Sequence, residues 1–199
     1  MEPKFTLNLC SIGGYVPPQD SQKKKIFANN AICYRDVLEL LSTNMVANYI
    51  YKADNCYIET PISLLLAQDP SITVIFFDET ATCEPEDFLK ALANKDVIKY
   101  SKNKIPMLVS YRDDMINGFR EAGYPYLFFA KTSEDKNTNS QLARYIASLF
   151  LQIAAKKTLL VSHQDSVSAI YGYNKIGTAN VPKLLVRGDM NPNYIEIPI

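Results

Sequence analysis

Three aspartates follow apolar runs of the kind that form buried strands. Asp78 comes directly after residues 72–77 (ITVIFF), and Asp113 and Asp114 come shortly after residues 105–110 (IPMLVS). Because the carboxyl ends of parallel strands meet at one edge of a sheet, these carboxylates are expected to lie near one another. Carboxylate oxygens are the ligands that Mg²⁺ prefers, and a bound Mg²⁺ serves phosphoryl chemistry. The sequence therefore indicates one candidate metal site, at Asp78, Asp113 and Asp114. No motif in the chain requires a cofactor. If the carboxylates bind a metal ion, Mg²⁺ is the ion expected.

Two known kinds of site share part of this pattern. The stretch Tyr111-Arg112-Asp113-Asp114 resembles the YxDD turn of reverse-transcriptase palm domains. A palm is an antiparallel sheet, whereas helical patterns separate the apolar runs here, so the resemblance stops at the turn. The carboxylates also resemble the acidic pocket of receiver domains, and Lys131 stands roughly where a receiver has its lysine after the fifth strand. Receivers carry an acidic pair after the first strand, where this chain has Cys10-Ser11-Ile12-Gly13.

Polar or small residues follow every predicted strand, as expected for the solvated loops of such a fold. Gly13 and Gly14 do not belong to a GxGxxG fingerprint, and no P-loop sequence is present. Cys10 and His163 would act as nucleophile and base only if their strand ends converged. The candidate ligand-binding residues at the strand ends are Ser11, Gly13, Gly14, Asp78, Asp113, Asp114, Lys131, Ser162 and His163.

The alternation of apolar runs with helical patterns predicts the fold. It indicates a three-layer, doubly wound α/β domain, Rossmann-like or flavodoxin-like, with five or six mainly parallel strands and a C-terminal β appendage. Pro85 is expected to open one helix, with Glu86 and Asp87 near the positive end of its dipole. We predict an α/β domain over 1–165 and, packed on it, a β extension over 166–199. Strands are expected at 5–10, 46–51, 72–77, 105–110, 126–130 and 158–162, and antiparallel ones at 167–173 and 183–186.

Composition narrows the function classes. The chain has 199 residues, 47% of them hydrophobic, which suits a globular protein with a real core. Lys plus Arg and Asp plus Glu balance at 21 each, which argues against a general nucleic-acid binder and makes self-association easier. No apolar helical stretch is long enough to predict a membrane span. The four cysteines form no CxxC pair, and such widely spread cysteines are typical of buried thiols in the cytoplasm.

Two functions follow as expectations. The first is a non-enzymatic signalling, sensor or scaffolding domain that binds a partner protein or a nucleotide-like ligand at the carboxyl ends of the strands. It rests on the lack of a nucleophile motif, a P-loop, a dinucleotide fingerprint and a zinc-ligand pattern in the sequence. The alternative is a Mg²⁺-dependent enzyme that acts on a phosphate or nucleotide ester through Asp78, Asp113 and Asp114.

Overall fold

The protein has an α/β fold in which helices flank a mostly parallel sheet, as the sequence predicted. The computed structural model describes residues 6–12, 33, 35–41, 50–53, 58–67, 71–77, 84–101, 104–155, 157–173 and 181–187.

The strands of this sheet lie close to five of the predicted runs and to the predicted C-terminal strand. They are β1 (Thr6–Ile12), β2 (Ile50–Ala53), β3 (Ser71–Phe77), β4 (Lys104–Ser110), β5 (Tyr126–Lys131) and β6 (Lys183–Val186). Their order in the sheet is β2-β1-β3-β4-β5-β6. β1 to β5 pair in parallel, and β6 pairs antiparallel with β5 at one edge. This arrangement is consistent with a Rossmann-like or flavodoxin-like fold.

Helices connect the strands. The part of the chain that the structure describes includes α1 (residues 35–41), α2 (Glu59–Leu66), α3 (Pro85–Leu92), α4 (Lys95–Tyr100), α5 (Asp113–Glu121), α6 (Lys136–Ala154) and α7 (Leu159–Tyr171). Pro85 opens α3 as predicted, at the position that tolerates a missing N–H. The short helix α4 was not predicted. It begins where the Asn94 side chain accepts a hydrogen bond from the Asp96 N–H at 2.8 Å.

The central strands send alternate side chains to opposite faces of the sheet, and each face has its own apolar core. On one face, Val74 and Met107 pack with α1, α6 and α7. On the other face, Ile75 and Leu108 pack with α2, α3, α4 and α5. Every residue of β4 is buried, which explains why residues 105–109 form a continuous apolar run rather than an alternating pattern.

The strands predicted at 158–162 and 167–173 are wrong, because both segments belong to α7. The helix begins where the Thr158 hydroxyl accepts a hydrogen bond from the Val161 N–H. Its buried positions, Leu159, Ser162, His163, Ser166 and Val167, follow helical spacing. Three of them are polar, so the sequence shows no apolar stripe. The short apolar run at 158–161 (TLLV) was therefore interpreted as a strand, because periodicity cannot distinguish the two in so short a run.

The division of the chain at residue 165 stays a prediction. Helix α7 continues across that residue, and β6 adds the expected antiparallel strand at the edge of the sheet. Residues 174–180 and 188–199, which make up most of the predicted extension, lie outside the described residues.

Arg187 fastens the end of β6 to the helix that precedes β5. Its backbone N–H donates to the Pro125 carbonyl at 2.8 Å. Its guanidinium donates to the carbonyls of Arg120 and Ala122 at the end of α5. These carbonyls lack partners within their own helix and carry the negative end of its dipole, so a cation is favourable there.

We predict that Arg187→Met lowers the free energy of unfolding by about 1–2 kcal/mol, because two charge-assisted hydrogen bonds are lost while the aliphatic stem is kept. Urea denaturation followed by circular dichroism measures this change. Arg187→Lys keeps the charge but not the forked geometry, so its free energy of unfolding should lie between those of the unmutated protein and Arg187→Met. An unchanged midpoint for Arg187→Met would show that this contact does not hold β6 in place.

Candidate functional site

The predicted Tyr111-Arg112-Asp113-Asp114 stretch is the start of helix α5, directly beyond the carboxyl end of β4. Arg112 occupies the N-cap position, and Asp113 and Asp114 form the first turn of the helix. The Ser110 hydroxyl accepts a hydrogen bond from the Arg112 N–H at 3.1 Å, which ties this turn to the end of β4. Carboxylates in a first turn are stabilised by the positive end of the helix dipole. The two aspartates therefore have a structural reason to stand here.

Arg112 and Asp114 form a bidentate pair at the start of the helix. The Arg112 Nε and Nη2 atoms lie 3.0 and 2.5 Å from the two carboxylate oxygens of Asp114. The hydrogen bonds from Arg112 lower the pKa of the Asp114 carboxyl, because they favour its charged form. Fork-to-fork pairing of this kind fixes the orientation of the guanidinium.

Asp113 points instead toward the next strand. The Lys131 Nζ at the end of β5 lies 2.7 Å from Asp113 Oδ2 and 5.8 Å from the centre of the Tyr111 ring. Asp113 and Lys131 were both predicted to lie at strand ends, and the structure brings these two residues into contact. The side chain of Asp113 is 73% exposed, so water screens the pair.

A cleft of about 450 Å³ opens between the first turns of α3 and α5. Both helices begin beyond the carboxyl ends of central strands, which is where open parallel sheets bind ligands. The two helices pack closely at Gly118 of α5, where an added Cβ would lie 2.5 Å from Leu89 Cδ1 of α3 and the leucine side chain would have to shift. The cleft is lined by Glu84, Pro85, Glu86, Asp87, Arg112 and Asp114.

Sequence reasoning missed most of this lining. Glu86 and Asp87 were interpreted only as partners of a helix dipole, while Glu84 and Arg112 were not singled out for a role. The signal that could have found the cleft is the run Glu84-Pro85-Glu86-Asp87. It starts the helix after one central strand, at the same edge of the sheet where Arg112 and Asp114 follow the next strand.

Four of the predicted site residues cannot be placed against this cleft. Gly13, Gly14 and Asp78 lie outside the described residues, and for Ser11 only the backbone, within β1, is described. The metal site at Asp78, Asp113 and Asp114 therefore stays a prediction. Within the described ranges, no group of three or more His, Cys, Asp or Glu side chains is placed to hold a metal ion.

Ser162 and His163 lie elsewhere, because they belong to α7 and not to a strand end. Both are buried. Cys10 packs in the core on the α5 side of the sheet, whereas His163 packs against Phe128 and Tyr145 on the opposite side. Cys10 and His163 thus cannot meet as nucleophile and base.

The comparisons with known proteins do not assign the chain to a family. No protein-family model matches it, and no curated protein matches its sequence. A search of the described residues for a helix with the length and apolar character needed to cross a membrane found none.

We predict that the Asp113–Lys131 pair contributes little to stability. A double-mutant cycle with Asp113→Asn and Lys131→Met should give a coupling of about 0.2–1 kcal/mol, because both side chains are partly solvated. Urea denaturation at low and high salt measures it, and the coupling should shrink as salt screens the charges. A coupling well above this range would mean that the pair is structural and not free to turn to a ligand.

Proposed function

We propose that this chain is a non-enzymatic binding domain of the signalling or scaffolding kind, whose partner is a protein that presents a basic segment to the acidic cleft. One observation carries the proposal: the cleft between α3 and α5 is lined by four carboxylates and a single guanidinium. Its position at the carboxyl edge of the sheet supports a binding role, because ligands of doubly wound folds are bound there.

Charge favours a basic protein segment over a nucleotide-like ligand. The two helix N-termini at the cleft would attract a phosphate if they were open. Both already carry carboxylates in their first turns, Glu86 and Asp87 in α3 and Asp113 and Asp114 in α5. Arg112, the one cation of the lining, is already paired with Asp114. An anion would therefore meet net repulsion. Asp87 lies 3.6 Å from Lys90, so Lys or Arg side chains of a partner would meet chiefly the carboxylates of Glu84 and Glu86.

The exposure of the cleft carboxylates indicates that each contact with a partner would be weak and that binding would depend on salt. Glu84, Glu86, Asp87 and Asp114 are all exposed, and an exposed ion pair contributes at most about 1 kcal/mol. A partner would need several basic residues to bind measurably. Its association would be accelerated by the field of the cleft and weakened by salt.

The alternative is the Mg²⁺-dependent enzyme that would act on a phosphate or nucleotide ester through Asp78, Asp113 and Asp114. In the described part of the site, Lys131 contacts Asp113 and Arg112 contacts Asp114. A metal ion would compete with these two cations for the carboxylates. This pairing favours the binding domain over the enzyme.

We predict that the protein binds a short labelled peptide of alternating Arg and Gly, measured by fluorescence anisotropy at low salt. Glu86→Lys should weaken this binding by roughly 3- to 10-fold, because it reverses one charge of the cleft. Glu121→Lys is the matched control. It makes the same change of net charge at the other end of α5, away from the cleft, and should leave the affinity nearly unchanged.

Three results would contradict the proposal. Equal effects of Glu86→Lys and Glu121→Lys would mean that only net charge matters. Tighter binding of ATP than of the basic peptide would favour the nucleotide-like ligand. A rise in melting temperature with Mg²⁺ that Asp113→Asn abolishes would support the enzyme instead, because a bound metal stabilises the folded state by mass action.

A further inference from the structure

The interface between α6 and α7 is unusually polar for a buried contact. The Tyr145 hydroxyl of α6 lies 2.8 Å from His163 Nδ1 of α7. The hydroxyls of Ser148 and Ser166, one turn further along each helix, lie 3.0 Å apart. Directional hydrogen bonds therefore hold α7 against α6. A buried polar group that loses its hydrogen-bond partner destabilises the folded state.

Apolar contacts hold α7 less firmly than they hold α6. Among the apolar residues of α7, only Leu159 and Val167 are fully buried in the core. The longer helix α6 buries eight: Leu142, Ala143, Tyr145, Ile146, Ala147, Leu149, Phe150 and Ile153. Elements that bury little apolar surface open at lower free energy than the rest of a domain. Helix α7 is thus more easily released than the helix on which it packs.

In the part of the chain that the structure describes, aromatic rings pack against the His163 ring. Its ring centre lies 5.7 Å from that of Phe128 of β5 and 5.9 Å from that of Tyr145. Tyr171 of α7 packs on the other side of Tyr145, with Cys33, which precedes α1, close by. Burial raises the pKa values of Tyr145, Tyr171 and Cys33, so these groups are uncharged in mild acid. Among the described residues, the groups that face the ring include no carboxylate.

We propose that His163 makes α7 an acid-sensitive latch, which holds the helix on α6 and β5 at neutral pH and releases it in mild acid while the parallel sheet stays folded. A protonated imidazole donates from both ring nitrogens, so the Tyr145 hydroxyl could then only accept from Nδ1 and its own proton would need another acceptor. The charge would also lie among aromatic rings without an anion to balance it.

The direction of the pH dependence follows from linkage. Burial lowers the pKa of His163 to about 4 from the 6.5 of a solvated imidazole. The released helix therefore binds more protons than the packed helix between these two values, and release becomes easier as the pH falls through this window. The stabilisation of the packed state is complete above pH 6.5. Between about pH 7 and pH 5 the opening equilibrium should rise about 20-fold.

Hydrogen–deuterium exchange at about pH 7 and about pH 5 tests the latch, read as protection factors that correct for the slower chemical exchange in acid. The expected result is a loss of protection of about 20-fold in α7, with β3 and β4 unchanged. His163→Gln, which does not titrate in this range, should remove the pH dependence. Loss of protection over the whole domain at once would overturn the proposal, because it would mean global unfolding rather than release of one helix.

Two further measurements keep the test decisive. Asp165 of α7 pairs with Lys157 at 2.9 Å and is a second ionisable group on the same helix. If Asp165→Asn, rather than His163→Gln, removed the pH dependence, the proposal would be wrong. The chain has one histidine, so NMR of its imidazole is unambiguous even if His163→Gln does not fold. A titration midpoint between 4 and 6.5 supports the latch, because release is coupled to protonation. A midpoint near 6.5, or one near 4 with α7 still protected, overturns it.

Discussion

The rest of the structure depends on two strands, β3 and β4, that are buried on both faces. Their side chains alternate between two separate cores, so helices must cover both sides of the sheet. Parallel pairing adds a second constraint. Each connection between parallel strands leaves from the carboxyl edge of the sheet and must return to the amino edge before the next strand begins. As a result, α3 and α5 both start at the carboxyl edge, side by side, and their first turns form the cleft.

The character of that cleft follows from the way in which its helices begin. Each first turn exposes backbone N–H groups that favour negative charge. The chain satisfies both with its own carboxylates, at Glu86 and Asp87 and at Asp113 and Asp114. Residues that stabilise the helices thereby give the edge of the sheet its acidic surface. Stability and the proposed recognition of a basic partner arise from the same side chains.

Much of the fold was predictable from sequence, because continuous β-branched and aromatic runs such as residues 72–77 leave little alternative to a buried strand. The contact of Asp113 with Lys131 was also within reach, since both follow neighbouring strands. Helix α7 was not predictable in the same way. It buries the polar residues Ser162, His163 and Ser166, whereas the buried face of a helix is normally recognised in a sequence by apolar residues. The cleft was missed because it depends on how closely α3 and α5 pack at Gly118 and Leu89, which no local pattern reveals.

The most direct test of the account is a map of backbone NMR shifts as the alternating Arg-Gly peptide is added to the isotope-labelled protein. The largest shifts are expected to cluster at residues 84–87 and 112–114, where the first turns of α3 and α5 meet. Little should change in α6 and α7, which pack on the opposite face of the sheet. Shifts concentrated on that opposite face, or at the far end of α5, would contradict it.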